Sequence, residues 1–170
     1  MKKAVWSGLI VAVGMLALST PAFAQAASAN ANVTVNANVN AKAKLTISAN
    51  NIAFPTTGDP DSNPVLAATS ALTIDVKART SASGNVTLTV LAGGDLDSGS
   101  ATIAISNLTW TSTGAVFNAS GISNASAAQP VASFSGSGSY SGSQSYALVN
   151  SWAYTTGNYT ATLTYTLTAP

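Results

Sequence analysis

From Asn32 to Ser48 the chain alternates without a fault. Val33, Val35, Ala37, Val39, Ala41, Ala43, Leu45 and Ile47 hold the odd positions, and Asn, Thr, Lys and Ser hold the even ones. A period of two is the mark of a β-strand with one buried face. At ~3.4 Å per residue the run would reach about 55 Å, whereas an ordinary strand spans ~17–20 Å. No Gly or Pro interrupts it. One strand of one compact domain has no use for that length. Two readings follow. In the first, Asn32 to Ala41 leaves its own domain and completes the sheet of a neighbour, with Val33, Val35, Ala37, Val39 and Ala41 as the inserted face. In the second, one strand bends and passes between the two sheets of its own sandwich.

The rest of the pattern predicts further strands. Leu72, Ile74, Val76 and Ala78 alternate with Thr73, Asp75, Lys77 and Arg79, and Val86, Leu88 and Val90 alternate with Thr87 and Thr89. The Ser81–Asn85 turn between them suggests a hairpin. Ile103 and Ile105 are odd but Leu108 and Trp110 are even, so a bulge or turn is expected at Ser106-Asn107. Residues 112–130 read as loop. From Ser133 to Ser145 every odd position is Ser, and the even ones mix Gly with Phe134 and Tyr140. This predicts a flat strand pair turning near Ser141-Gly142, with a flexible linker as the alternative. Leu148, Trp152 and Tyr154 carry the period on. Tyr159, Ala161, Leu163, Tyr165 and Leu167 alternate with Thr to the C-terminus. Residues 55–64 are dense in turn formers and read as loop. No apolar residues fall at helical spacing after residue 24. The fold class expected is all-β, an antiparallel Ig-like β-sandwich over 49–170, preceded by the long strand within 25–48. A closed barrel is the alternative.

Residues 1–24 read as a cleaved signal peptide of bacterial type. Lys2 and Lys3 precede an apolar run from Ala4 to Leu18, and Ala22-Phe23-Ala24 forms a small-x-small cleavage site. The apolar run is shorter than the ~20 residues of a membrane span, and no second span is expected in the mature chain. The protein is therefore expected to be secreted, to the extracellular space or cell surface. The whole chain carries +1, but the mature part has Lys42, Lys44, Lys77 and Arg79 against Asp59, Asp61, Asp75, Asp95 and Asp97, a net −1.

Only 6% of residues are charged, against roughly 25% in an ordinary soluble domain. Six Lys and Arg against five Asp make no basic footprint, so no nucleic-acid partner is expected. With no Cys and no His, the usual ligands of zinc, haem and iron–sulfur clusters are missing, and so are disulfides. Asp97-Ser98-Gly99 matches the turn of aspartic proteases, but that chemistry needs two carboxylates and the motif occurs once. No enzyme is expected. Asp59, Asp61 and Asn63 place oxygen ligands at alternate positions, and Asp95 and Asp97 complete a candidate calcium site if the two loops share an end. Otherwise these are plain turns, and no cofactor is expected. Trp110 and Trp152 are candidate platforms for stacking on sugar rings, with polysaccharide as partner, or else fill the core. Asn-x-Ser/Thr triplets begin at Asn32, Asn85, Asn107, Asn118, Asn124 and Asn158, at a density the composition alone explains.

The alternating segment Val33–Ile47, the Thr/Tyr-rich closing strand Tyr159–Leu167 and the leader together resemble secreted pilin-type subunits, the chaperone–usher pilins and spore-coat-U-like proteins. The chain departs from those families in lacking Cys and in ending Ala169-Pro170 without a penultimate aromatic. The resemblance implies a fimbrial or filament subunit that self-assembles into a homo-polymer through its N-terminal strand. The alternative is a cell-surface carbohydrate-binding or adhesion module.

Overall fold

The computed structural model describes residues 31–55 and 58–170, so the expected signal peptide lies outside the described residues. Residues 38–170 form one compact unit that holds every strand, and residues 31–37 belong to another.

The strands are β1 (Lys42–Ile47), β2 (Val65–Ala67), β3 (Leu72–Arg79), β4 (Asn85–Ala92), β5 (Leu96–Asp97), β6 (Thr102–Ile103), β7 (Leu108–Thr113), β8 (Ser120–Ile122), β9 (Gln129–Ser135), β10 (Gly138–Val149) and β11 (Leu163–Thr168). A single 3-10 turn at Ile105–Asn107 sits where the alternation slips phase. All the pairing is antiparallel. One sheet runs β1-β3-β10-β7-β8, with β2 beside the far end of β10. A second runs β11-β4-β9, and β5 and β6 form a small ribbon.

The two large sheets share one apolar core. Ile74 and Val76 of β3 and Val86 of β4 are 0% exposed, and Trp110 and Tyr146 contribute the largest buried side chains. At roughly 25 cal/mol per Å2 of apolar surface, this shared face is the main force holding the sheets together. One polar tie crosses the core. Tyr146 donates to the Tyr165 hydroxyl (2.6 Å), and Tyr165 donates to Oε1 of the fully buried Gln144. Burial pushes the Tyr165 hydroxyl up to about 12, offset in part by the Tyr146 hydrogen bond. Burial, and then the neighbouring Tyr165, raises Tyr146 further still.

Three sequence expectations need correction. First, β3 and β4 are not a hairpin. They lie in opposite sheets, β3 between β1 and β10, and β4 between β11 and β9. The connector crosses the sandwich and is fastened to the second crossing, from β9 to β10. Thr80 N–H donates to Ser137 Oγ (3.0 Å), and Gly136 N–H donates to the Gly84 carbonyl (2.8 Å). Second, the turn in the Gly/Ser segment falls at Gly136, which adopts φ +74°, and β10 runs unbroken through Ser141-Gly142. Gly142 is needed there for space, since a Cβ would stand 2.6 Å from the Phe117 ring and from the Thr113 carbonyl. Third, the long N-terminal strand is paired only from Lys42 onward.

Candidate functional site

The site has two parts, a free strand and an open side. Residues 31–41 are entirely exposed and carry no strand pairing among the described residues. Val33, Val35 and Val39 are 85%, 86% and 63% exposed. Arg79 Nε donates to the Asn40 carbonyl (2.9 Å) and fixes the point where the free segment joins β1. Among the described residues no strand pairs with this segment, and Val33, Val35 and Val39 on its alternating face stand exposed.

The open side lies where β1 and β11 end their sheets. β1 pairs only with β3, and β11 only with β4. Their inward side chains, Leu45 and Ile47 on β1 and Leu163, Tyr165 and Leu167 on β11, are half-buried, whereas those of β3 and β4 are fully buried. A missing strand leaves such a gradient, because an edge residue has a neighbour on one flank only. A cleft of about 780 Å3 opens here, lined by Ile47, Ile52, Phe54, Leu96, Leu163 and Tyr165 among others. No charged side chain lines it. Among the described residues no strand pairs the outer edge of β11, which leaves a row of backbone groups beside this uncharged cleft as a template for another strand.

Lengths agree. Val33 to Val39 spans about 20 Å at strand rise, and the six residues of β11 span about 17 Å. The alternation of Val33–Val39 was legible in the sequence, but the edge position of β11 was not: Leu163, Tyr165 and Leu167 alternate like any strand, and alternation alone does not reveal that a strand sits at an edge.

The two tryptophans, each a candidate sugar platform or core residue, part company. Trp110 is 2% exposed on the inner face of β7 and offers no ring face to a sugar. Trp152, whose run with Tyr146 and Leu148 pointed to the core, is 71% exposed. β10 ends at Val149, and Asn150 turns the chain by donating to the Gly58 and Asn63 carbonyls (both 3.0 Å). The Trp152 indole N–H reaches Asp61 Oδ1 (3.2 Å).

Of the five candidate calcium ligands, Asp59, Asn63 and Asp97 bond within their own turns, whereas Asp95 reaches to Ile105 and Asp61 to the Trp152 indole. Asp59 Oδ1 accepts from Asp61 N–H (2.9 Å), Asp95 Oδ1 from Ile105 N–H (2.8 Å) and Asp97 Oδ1 from Gly99 N–H (2.7 Å). Asn63 Nδ2 donates to Ser62 Oγ (3.1 Å). Among the described residues no three metal-ligating side chains of the Asp, Glu, His or Cys type come together. Nor is any helix among them long and apolar enough to cross a membrane. Comparison with known proteins adds no relative to this geometry: no protein-family model, curated protein or solved structure matches the chain.

Proposed function

We propose that this chain is a secreted structural subunit of a surface filament or extracellular matrix. An N-terminal leader directs export, and an Ig-like sandwich supplies the repeating body. Asn32–Ala41 of one copy adds as a strand to the β11 edge of the next, with Val33, Val35, Ala37 and Val39 filling the trough between β11 and β1. Backbone hydrogen bonds supply affinity, and the alternating small apolar side chains set register. Donor and acceptor are different surfaces, so the contact is heterologous and propagates rather than closing.

One observation carries this reading. Among the described residues an alternating segment with exposed valines has no strand partner, and the edge strand β11, with half-buried Leu163, Tyr165 and Leu167, has one flank without a strand. Low charge suits it, because little like-charge repulsion opposes dense packing of copies. The test is a chain lacking residues 25–41. It should fold and remain monomeric by light scattering, while the chain retaining them forms filaments visible by electron microscopy. Filaments from the shortened chain would refute strand donation.

A second reading, an adhesion module for neutral sugars, is favoured by one feature. Trp152 exposes an indole face beside the Asp61 carboxylate, which can accept a sugar hydroxyl. Loss of retention on a neutral polysaccharide in Trp152→Ala, with folding intact, would support it.

A further inference from the structure

The register of β1 against β3 gathers charge in a way the sequence conceals. Lys42 stands opposite Arg79, and Lys44 opposite Lys77. All four side chains occupy the outer face of the sheet and are exposed, opposite in sense to the inward Leu45, Val76 and Ala78. Neighbouring positions are roughly 5 Å apart across the pair and about 7 Å apart along each strand. The four therefore form a rectangle. They are the only Lys or Arg residues from position 4 to the C-terminus. The facing carboxylate nearest by register is Asp75, one rank further on, opposite Thr46 and Ser141. The other four Asp side chains lie in or beside loops elsewhere, at 59, 61, 95 and 97.

Like charges directly opposite in a sheet destabilise it. A chain with so few charges had many neutral arrangements open to it. Instead it places every cation of the folded unit in two facing like-charge pairs. A polyanion lying across these pairs would relieve that repulsion.

The neighbouring ranks indicate which anion. Beyond the rectangle the same face continues as hydroxyls: Ser139 beside Lys77, Ser141 beside Asp75, then Ser143 beside Thr113 and Ser145 beside Thr111. These positions point outward, and no aromatic side chain stands among them. A nucleic-acid surface would call for a longer basic stripe or stacking rings. A membrane surface would call for apolar side chains beside the cations, whereas the exposed Val65, Val149 and Ile122 of this face lie toward the far end of β10. A compact cation rectangle bordered by a flat field of hydroxyls matches a chain of sugar rings bearing spaced carboxylates, with ring hydroxyls between them.

We propose that the outer face of β1, β3 and β10 binds an acidic polysaccharide through Lys42, Lys44, Lys77 and Arg79. This surface is separate from the β11 trough and does not depend on strand donation. In a filament each copy would present the same rectangle, so weak single contacts would add along the fibre.

The experiment uses the chain with its N-terminal segment, with alginate as the probe and dextran as the neutral control. The chain should bind alginate and not dextran, and raising salt to about 0.5 M should release it, since the Debye length then falls well below its ~8 Å value at physiological ionic strength. Lys44→Gln with Lys77→Gln should weaken alginate binding about tenfold or more. The same double variant should melt no lower than the parent, because it removes a like-charge pair. Trp152→Ala should bind alginate as the parent does. Undiminished binding in the double variant, equal binding to dextran, or tighter retention on double-stranded DNA or phosphatidylglycerol vesicles than on alginate would each overturn the proposal. Arg79 also donates to the Asn40 carbonyl, so the control for donation is Val35→Ala, which keeps Asn40 and all four cations: its binding to alginate separates failure of this surface from failure of strand donation.

Discussion

Two stretches of this chain carry the same rhythm and meet opposite fates. Leu72, Ile74, Val76 and Ala78 are 4%, 0%, 0% and 8% exposed, while Val33, Val35 and Val39 are 85%, 86% and 63% exposed. Each stretch alternates apolar with polar side chains, and neither contains Gly or Pro. What differs is the supply of partners. β3 has a strand on both flanks and a second sheet beneath it, whereas the N-terminal segment has neither within its own described chain. Alternation states which face needs covering. It does not state which molecule covers it.

That contrast can be broken or sharpened by substitution. The largest effect is expected in the buried row's neighbourhood. Trp110→Ala should cost about 3–5 kcal/mol and Ile74→Ala about 2–5 kcal/mol by urea unfolding, as fully buried large side chains do. Val35→Ala should leave the stability of the single copy within about 0.5 kcal/mol and yet slow or abolish assembly. If Val35→Ala destabilises the single copy as Ile74→Ala does, the two rows are alike and the contrast fails.

A smaller effect tests the Gly/Ser segment. Gly142→Ala forces a Cβ against the Phe117 ring and the Thr113 carbonyl and should cost about 1–3 kcal/mol. Ser141→Ala, pointing outward one residue earlier, should be near neutral in the same urea titration.

Alkaline pH probes the half-buried edge. Tyr165 and Tyr146 hold their protons more firmly in the folded protein than in the unfolded chain, where tyrosine ionises near 10. Their contribution is complete below about pH 10 and declines as pH rises from there through the Tyr165 value of about 12. Urea midpoints measured from pH 9 to 11.5 should fall across that window, and Tyr165→Phe should flatten the fall. A midpoint that rises with pH would reverse the sign and contradict the buried pair. The smallest effect belongs to Trp152→Ala, which should change stability by no more than about 0.5 kcal/mol because its ring is mostly in solvent.

How much was legible in the sequence depended on whether a feature was local. The strands at 72–79 and 85–92 were, because each alternates over its whole length. So was the slip at Ser106-Asn107, which became the 3-10 turn. Partnership was not legible. The short Ser81–Asn85 turn looked like a hairpin, but the fastening of Thr80 to Ser137 sends β3 and β4 into different sheets. Which of its two alternatives Trp152 takes was hidden for a similar reason: the alternation passes through Asn150, whose side chain binds two loop carbonyls from the 58–63 segment where the strand ends. The short β2 and β8 strands carry too few residues to show a period. The basic rectangle is invisible until β1 is set in register with β3, since Lys44 and Lys77 are far apart in sequence.

The central claim is that Asn32–Ala41 of one copy lies along β11 of another. The chain has no cysteine, so single thiols can be placed without interference. One preparation would carry Asn36→Cys, the other Thr166→Cys, both on solvent-facing positions of the proposed pair. Mixed and treated with a short bismaleimide, they should give a covalent heterodimer whose linked peptides, read by mass spectrometry, join residues 36 and 166. A chain carrying both substitutions that links only within itself, together with no heterodimer in the mixture, would contradict donation between copies.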